Sequence, residues 1–429
     1  MAVGSGLSAQ IGMAEEVFTN EQQTLTNAAS SGNWTITFDG ATTAQIASTT
    51  ASAANVQTAL NALGNIGANG VSCSGGPLGT APITVTFSGS LVGKRNVPQM
   101  TVSTSPNPVV ATTVPGTGYG DAVTVTRFLE FIDESLKLDV QRIESAALRT
   151  GTNVLRSDHW AANKKGVAGD VNWEVDQTGY GLLFKHMFGT SNISTPTNGV
   201  LTRDHTYTFS DLYQTRSLTV QLGIPDTNGT VNPFTYKGCK IAAWELSNAV
   251  DGILMLKTTI DAQDEDQTIG LASASYPSNL VPLTFVGGMI TNSSLGNWAV
   301  RNITVSADRG LKTDRYFARS STLKKEPINN AFMDLAVQVE AEMESTAAYN
   351  LYVNGTLTTL TGTWVGAQIE AVTPTYFYTV TLTVPNVRFD GESPDVSGPD
   401  VVTQTLSGKA LYDGSTLPSL VYRTTDTAD

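Results

Sequence analysis

Between Val171 and Asp176 the chain alternates apolar and polar side chains without a break (Val171-Asn172-Trp173-Glu174-Val175-Asp176), the period of a strand buried on one face. Over residues 177–188 the period lengthens. Leu182, Leu183, His186 and Met187 share one helical face, and Gly189 follows where a helix can end. Strand patterns then recur at 206–210, 215–222, 239–248, 252–262, 283–290, 299–307, 332–344, 348–353, 376–389 and 402–410, with turn residues between them. One helix among so many strands predicts a mainly β architecture, a large sandwich or barrel with a flanking helix.

The segment from residue 19 to about 118 is rich in Thr, Ser, Ala and Gly. Asn33 to Phe38 alternates and turns at Asp39-Gly40, and 43–48 makes a return strand. Val56, Leu60 and Leu63 mark an amphipathic helix over 53–63, with Ser52 at its N-cap. Residues 71–74 and 83–87 alternate again, and Val97 to Ser103 reads as an edge strand with Pro98 near its start. The Ser/Thr/Gly/Pro stretch at 103–118 reads as a linker. The pattern therefore predicts a small α+β domain at 22–115, set into a larger β domain made of 1–21 and 116–429.

Residues 335–344 read Leu-Ala-Val-Gln-Val-Glu-Ala-Glu-Met-Glu. A strand there places Leu335, Val337, Val339, Ala341 and Met343 on one face and Gln338, Glu340, Glu342 and Glu344 on the other. Carboxylates about 7 Å apart repel modestly in water, and nothing within the segment neutralises them. The face is either ordinary solvated sheet or a surface meant to be negative.

Composition narrows the chemistry. A length of 429 residues fits two or three domains, and an apolar share of 40% suffices for packed cores. Lys plus Arg total 25 against 38 Asp plus Glu, a net charge of −13, so the whole surface does not grip nucleic acid. Two distant cysteines, Cys73 and Cys239, exclude a disulfide scaffold and a multi-Cys zinc site. No run is long and apolar enough for a membrane helix, and the N-terminus lacks a signal-peptide pattern. Synthesis and assembly inside a cell, with both thiols reduced, are the expectation.

Catalytic patterns are missing: there is no nucleophile elbow, no zinc-protease His spacing and no phosphate-cradling loop. His159 follows Asp158 directly, and neighbours on a strand do not form a dyad. His186 is expected to pack on its helix and His205 to lie at the surface. The acidic clusters Asp261, Asp264, Glu265, Asp266 and Asp390, Glu392, Asp395 lack the calcium-loop order and read as solvated loops. No metal or cofactor is expected. Cations gather at Lys312, Arg315, Arg319, Lys324 and Lys325, interleaved with Tyr316 and Phe317. Contact with nucleic acid, contact with an acidic neighbouring subunit and plain solvation all fit that cluster.

Several stretches, in order, resemble the tail tube (major tail) protein of long, flexible-tailed bacteriophages (siphophages). They are Gly6 to Glu16, Tyr119 to Phe131, Val167 to Val171 with Glu174-Val175, Gly181-Leu182-Leu183 before Met187-Phe188-Gly189, Pro233 to Lys240, Leu311 to Tyr316, Lys324 to Pro327, and Asn386 to Glu392. Asn96-Val97-Pro98-Gln99-Met100 is similar to the end of a repeat module found in phage structural proteins.

The resemblance implies a tail-tube β-sandwich whose subunits form rings, commonly of six, that stack into a tube with a negative lumen. The implied partners are the chain itself, the tape measure, tail terminator and distal tail proteins, and double-stranded DNA passing without specific binding. The implied location is the virion tail, after assembly in the host cytoplasm, without membrane insertion. Glu340, Glu342 and Glu344 would then face the lumen. Lys312, Arg315, Arg319, Lys324 and Lys325 would contact the next ring, and 22–115 would be a decoration. Two other classes stay open: a capsid decoration or cell-surface adhesion protein, and a polysaccharide-cleaving enzyme pairing Asp261 with Glu340.

Overall fold

The computed structural model describes residues 8–27, 32–103, 108–147, 153–210, 216–278, 280–391, 393–394, 396, 398–399 and 401–429. Two compact units emerge, Glu16–Asp121 and Met1–Glu15 with Ala122–Asp429. Each has its own apolar core.

In the smaller unit an antiparallel sheet runs in the order Val109–Val114, Gln22–Thr26, Ile83–Phe87, Val71–Gly75. Helix α1 (Ala53–Asn61) packs Val56 and Leu60 into a core with Trp34, Ile36, Phe38 and Phe87. The Asn55 N–H donates to Ser52 Oγ at 3.3 Å, the N-cap that the sequence predicts. The stretch read as a linker is in part a strand: Val109–Val114 pairs along Gln22–Thr26. Thr and Val favour strands, so composition did not separate a spacer from an exposed edge. Of the expected edge strand at 97–103 only Thr101–Val102 pairs. Side chains hold the rest, the Val97 N–H donating to Glu21 Oε2 at 2.7 Å and the Met100 N–H to Gln23 Oε1 at 2.7 Å.

The larger unit is built on long strands: β1 (Lys137–Glu144), β2 (Trp160–Glu174), β3 (Arg203–Thr208), β4 (Val231–Ala249), β5 (Met255–Ala262), β6 (Val300–Asp308), β7 (Asp334–Glu342), β8 (Tyr376–Gly391), β9 (Thr403–Ala410) and β10 (Ser419–Thr424). The main sheet is antiparallel, in the order β1-β2-β5-β4-β6-β7-β9-β8. Long β4 and β8 each serve two neighbourhoods. The first half of β4 pairs with Leu218–Pro225, and that strand with Gln10–Glu15. The first half of β8 pairs with Thr358–Glu370 and with β10, which in turn pairs with β3.

The apolar face of this sheet packs on helix α2 (Gly181–Phe188). Phe188 stacks on Trp244 with ring centroids 5.5 Å apart, and Phe184 meets Tyr422 at 5.3 Å. All but Lys185 of α2 is buried, which fits a helix apolar nearly all round. Gly189 ends α2 at φ +100°, its N–H donating to Lys185 O at 2.8 Å.

One element is corrected. The strand expected at 348–353 is helix α3 (Ala347–Asn354), with Leu351 buried and Ala348 and Tyr352 packed beside it at helical spacing. Gly355 closes it in the left-handed region at φ +59°.

Candidate assembly surfaces

On β7 the residues Leu335, Val337, Val339 and Ala341 are buried, so Gln338 and Glu340 point away from the core. The register carries that polar face across the sheet. Glu340 stands beside Asn302 and Thr405, and Gln338 beside Thr304 and Ser407. Ser306 and Thr304 meet Glu245 and Ser247 of β4. Glu245 meets Lys257 of β5, and Lys257 and Thr259 meet Asn172 and Asp170 of β2.

The charge on this face is unbalanced. Its carboxylates are Asp133, Asp139, Asp170, Glu174, Glu245, Asp308, Asp334, Glu340, Glu342 and Asp390, and its cations are Lys137, Lys257, Arg301, Arg388 and Lys409. Ten against five leaves −5. Four of the five cations are already paired: Lys257 with Asp170 at 2.9 Å, Arg301 with Glu342 at 2.6 Å, Arg388 with Asp390 at 3.0 Å and Lys409 with Asp334 at 3.0 Å, while Lys137, exposed on the edge strand β1, has no carboxylate within ion-pair distance among the described residues. Among the described residues no cation is within ion-pair distance of Asp133, Glu174, Glu245, Asp308 or Glu340.

The three expected glutamates are therefore not equivalent. Glu340 is unpaired on the strand. Glu342 ends it, neutralised by Arg301 from the neighbouring strand. Glu344 lies beyond the strand, exposed in the turn before α3, so the period of two does not extend to it. Sequence reading missed Glu245, Asp308 and Glu174, because only the register puts them on the same surface.

The basic loop divides into inner and outer residues. Lys324 is buried and pairs with Asp261 at 2.5 Å, while Gln263 Nε2 donates to its carbonyl at 2.9 Å. Beside it Lys240, fully buried, pairs with Glu326 at 2.7 Å. Tyr316 donates to Lys165 O at 3.1 Å, and a Cβ on Gly166 would stand 2.9 Å from that hydroxyl, so a larger residue there would push the Tyr316 ring outward. These contacts pin the loop to β2, β4 and β5. Lys324 is thus spent inside the chain, which corrects its assignment to an outer contact. Lys312, Arg319 and Lys325 are exposed and Arg315 half-buried. Lys312 pairs with Asp314 at 2.9 Å, and Arg319 Nη2 donates to Leu323 O at 2.9 Å. Phe317, 51% exposed, lies under Arg315 and Lys325, at 5.9 and 5.2 Å from its ring centroid.

The acidic loop 261–266 is corrected as well. Asp261 and Asp264 are buried, and Lys165 pairs with Asp264 at 2.6 Å. Burial pushes the Asp261 carboxyl up, against the pull of Lys324 and Lys240. A carboxylate locked this way is not half of an open glycosidase pair. Glu392 and Asp395 of the second cluster lie outside the described residues; Asp390 pairs with Arg388. His186 is buried as expected, and burial together with Lys185 and Arg216 pushes its protonation well below the usual range. His159 lies in a turn, where Asp158 pairs with Arg156. His205 is the reverse of the surface reading: it is fully buried against Asp429 and Asp426. Among the described residues no cluster of three or more His, Cys, Asp or Glu could hold a metal, and no helix is long and apolar enough to cross a membrane.

A broad sheet face with an excess of carboxylates, a loop clamped by buried ion pairs and long strands spanning two neighbourhoods fit a structural β protein. Residues 101–410 match the sequence profile of the phage tail tube proteins, and the chain belongs to that family of virion tail components. No curated protein matches it.

Proposed function

We propose that this chain forms rings, of six subunits as is common for such tubes, that stack into a tail tube, with the polar face of the main sheet lining the channel. The observation that carries this reading is the −5 imbalance on that face, with four of its five cations already paired and the fifth, Lys137, at the edge strand. A conduit for DNA must keep cations that could displace the phosphates' counterions few and outnumbered by carboxylates. Glu245, Asp308, Glu174 and Glu340 supply the field, Glu342 sits at the border, and Glu344 extends it from the turn.

In this reading Lys312, Arg315, Arg319 and Lys325, on their clamped loop, meet acidic groups of the adjoining ring, while Lys324 holds the loop in place from inside. Tape measure, terminator and distal tail proteins would complete the assembly. The unit Glu16–Asp121 serves as an appendage that assembly does not require.

Electron microscopy of the purified protein tests the assembly directly: tubes support it, and monomers at all concentrations sink it. The lining is tested by cysteines placed at 245 and 340. They should react with a bulky thiol reagent on dissociated subunits and be protected in intact tubes. Equal rates would place that face outside. Reversing Glu245 and Glu340 to Lys should leave tubes intact and make them retain DNA, with retention fading as salt shortens the screening length below about 10 Å.

A further inference from the structure

We propose that His205 is held as the imidazolium cation and acts as a pH-sensitive latch that fastens residues 425–429 to the body of the larger unit. The argument begins with hydrogen-bond valence. His205 on β3 is fully buried, and both ring nitrogens end on acceptors: Nδ1 on Asp429 Oδ1 at 3.0 Å and Nε2 on the Asp426 carbonyl at 2.8 Å. A neutral imidazole has one N–H, so one of these contacts would set lone pair against lone pair; only the cation satisfies both.

The surroundings keep Asp429 ionised to match. Its Oδ1 also accepts from Tyr207 of β3 at 2.9 Å, and its Oδ2 from Ser191 at 2.6 Å. Arg127 forks onto its main-chain oxygen at 2.7 and 3.1 Å. Asp426 Oδ2 accepts the Gly179 N–H at 2.7 Å, and the Tyr422 ring of β10 stands 6.3 Å from the imidazole. Across the cleft beside the segment, Glu15 and Lys185 pair with each other at 2.6 Å and leave the latch to its own charges. In keeping with this, Asp429 and the Asp426 carbonyl raise the protonation of His205 above its usual range in spite of burial, while its three hydroxyl and imidazole donors hold Asp429 below the carboxylate range. The acidic half of the latch, Asp426 and Asp429, lies beyond residue 410, where the family match ends, while His205 lies within it.

Loss of the proton to solvent turns one bond into a repulsion, and residues 425–429 lose their anchor. His205 binds a proton more tightly folded than unfolded, so its contribution is complete below about pH 6.5 and disappears as pH rises through the folded value. Hydrogen exchange by mass spectrometry, corrected for intrinsic rates, reads this on the peptide 419–429, with the peptide 167–175 as internal reference. Its protection should be level at acid-neutral pH and then fall about tenfold per pH unit. The variant His205→Gln should be less protected throughout and level with pH. Should that variant not fold, Asp429→Asn leaves the buried ring in place and should move the fall to lower pH. A wild-type protection level from pH 6 to 9, a fall shared by the reference peptide, or an unshifted profile in Asp429→Asn overturns the latch.

Discussion

Two side chains show how burial decides what a charge does. Lys324 reads in the sequence like its neighbour Lys325, yet one is 3% exposed and paired with Asp261 while the other is open to solvent. Replacing Lys324 by Ala strands a buried carboxylate and should cost about 3–5 kcal/mol in a denaturant titration. Replacing Arg319 by Ala should leave that titration unchanged. Asp176, 5% exposed near Glu130 and Glu174, has its carboxyl pushed up to about 7, chiefly by burial. The folded state then keeps a proton that the unfolded chain gives up near pH 4, so stability falls as pH rises from about 4 to 7. Asp176→Asn should raise the melting temperature at pH 8 and have little effect at pH 4; an equal effect at both would show that the carboxyl is ionised throughout.

Helix ends and strand edges are where the elements were least legible. The termination of α2 was readable because glycine is the residue that most easily takes a left-handed position, and the structure adds a second cost for any other residue: a Cβ there would meet Ser210 Cβ at 3.2 Å. Gly189→Ala should cost about 1–2 kcal/mol, measured as a loss of thermal stability without loss of fold. Helix α3 was misread because Tyr349, Leu351 and Val353 alternate with Asn350 and Tyr352, imitating a strand; its burial follows Ala348, Leu351 and Tyr352 instead. The edge of Val71–Gly75 is closed by α1, with the Val71 N–H on Asn61 Oδ1 at 2.9 Å and the Cys73 N–H on Gln57 Oε1 at 2.9 Å. Side-chain amides there do the work of a missing strand, and no periodicity announces it.

At the scale of the molecule, the smaller unit has its two ends tied together. Thr19 and Thr117 exchange backbone bonds at 3.0 and 3.2 Å, and the hydroxyl of each lies 2.9 Å from the other. A unit with its own core and adjoining ends can be removed with little strain on what it leaves. Joining residues 18 and 118 by a short Gly-Ser bridge should yield a folded protein that still assembles into tubes under the microscope. Collapse of folding would show that the smaller unit supports the larger one.

The order of apolar and polar positions by itself determined that the chain is mainly β, that a helix ends at Gly189 and that Leu335, Val337, Val339 and Ala341 face a core, and composition marked residues 19 to about 118 as different in kind from the rest. These are local consequences of a two- or 3.6-residue period, and each needs only a few neighbouring residues to be read. What lies on the other side of a strand is not local. Glu245, Asp308 and Glu340 are up to 95 positions apart in the chain and share a surface only through the register of β4, β6 and β7. Arg301 neutralises Glu342, Asp261 captures Lys324, and Asp429 reaches back to His205 across 224 positions. Which charges stay free and which are consumed inside the fold was decided by tertiary structure, because Coulomb and hydrogen-bond energies depend on distance and burial in space and not on separation along the chain.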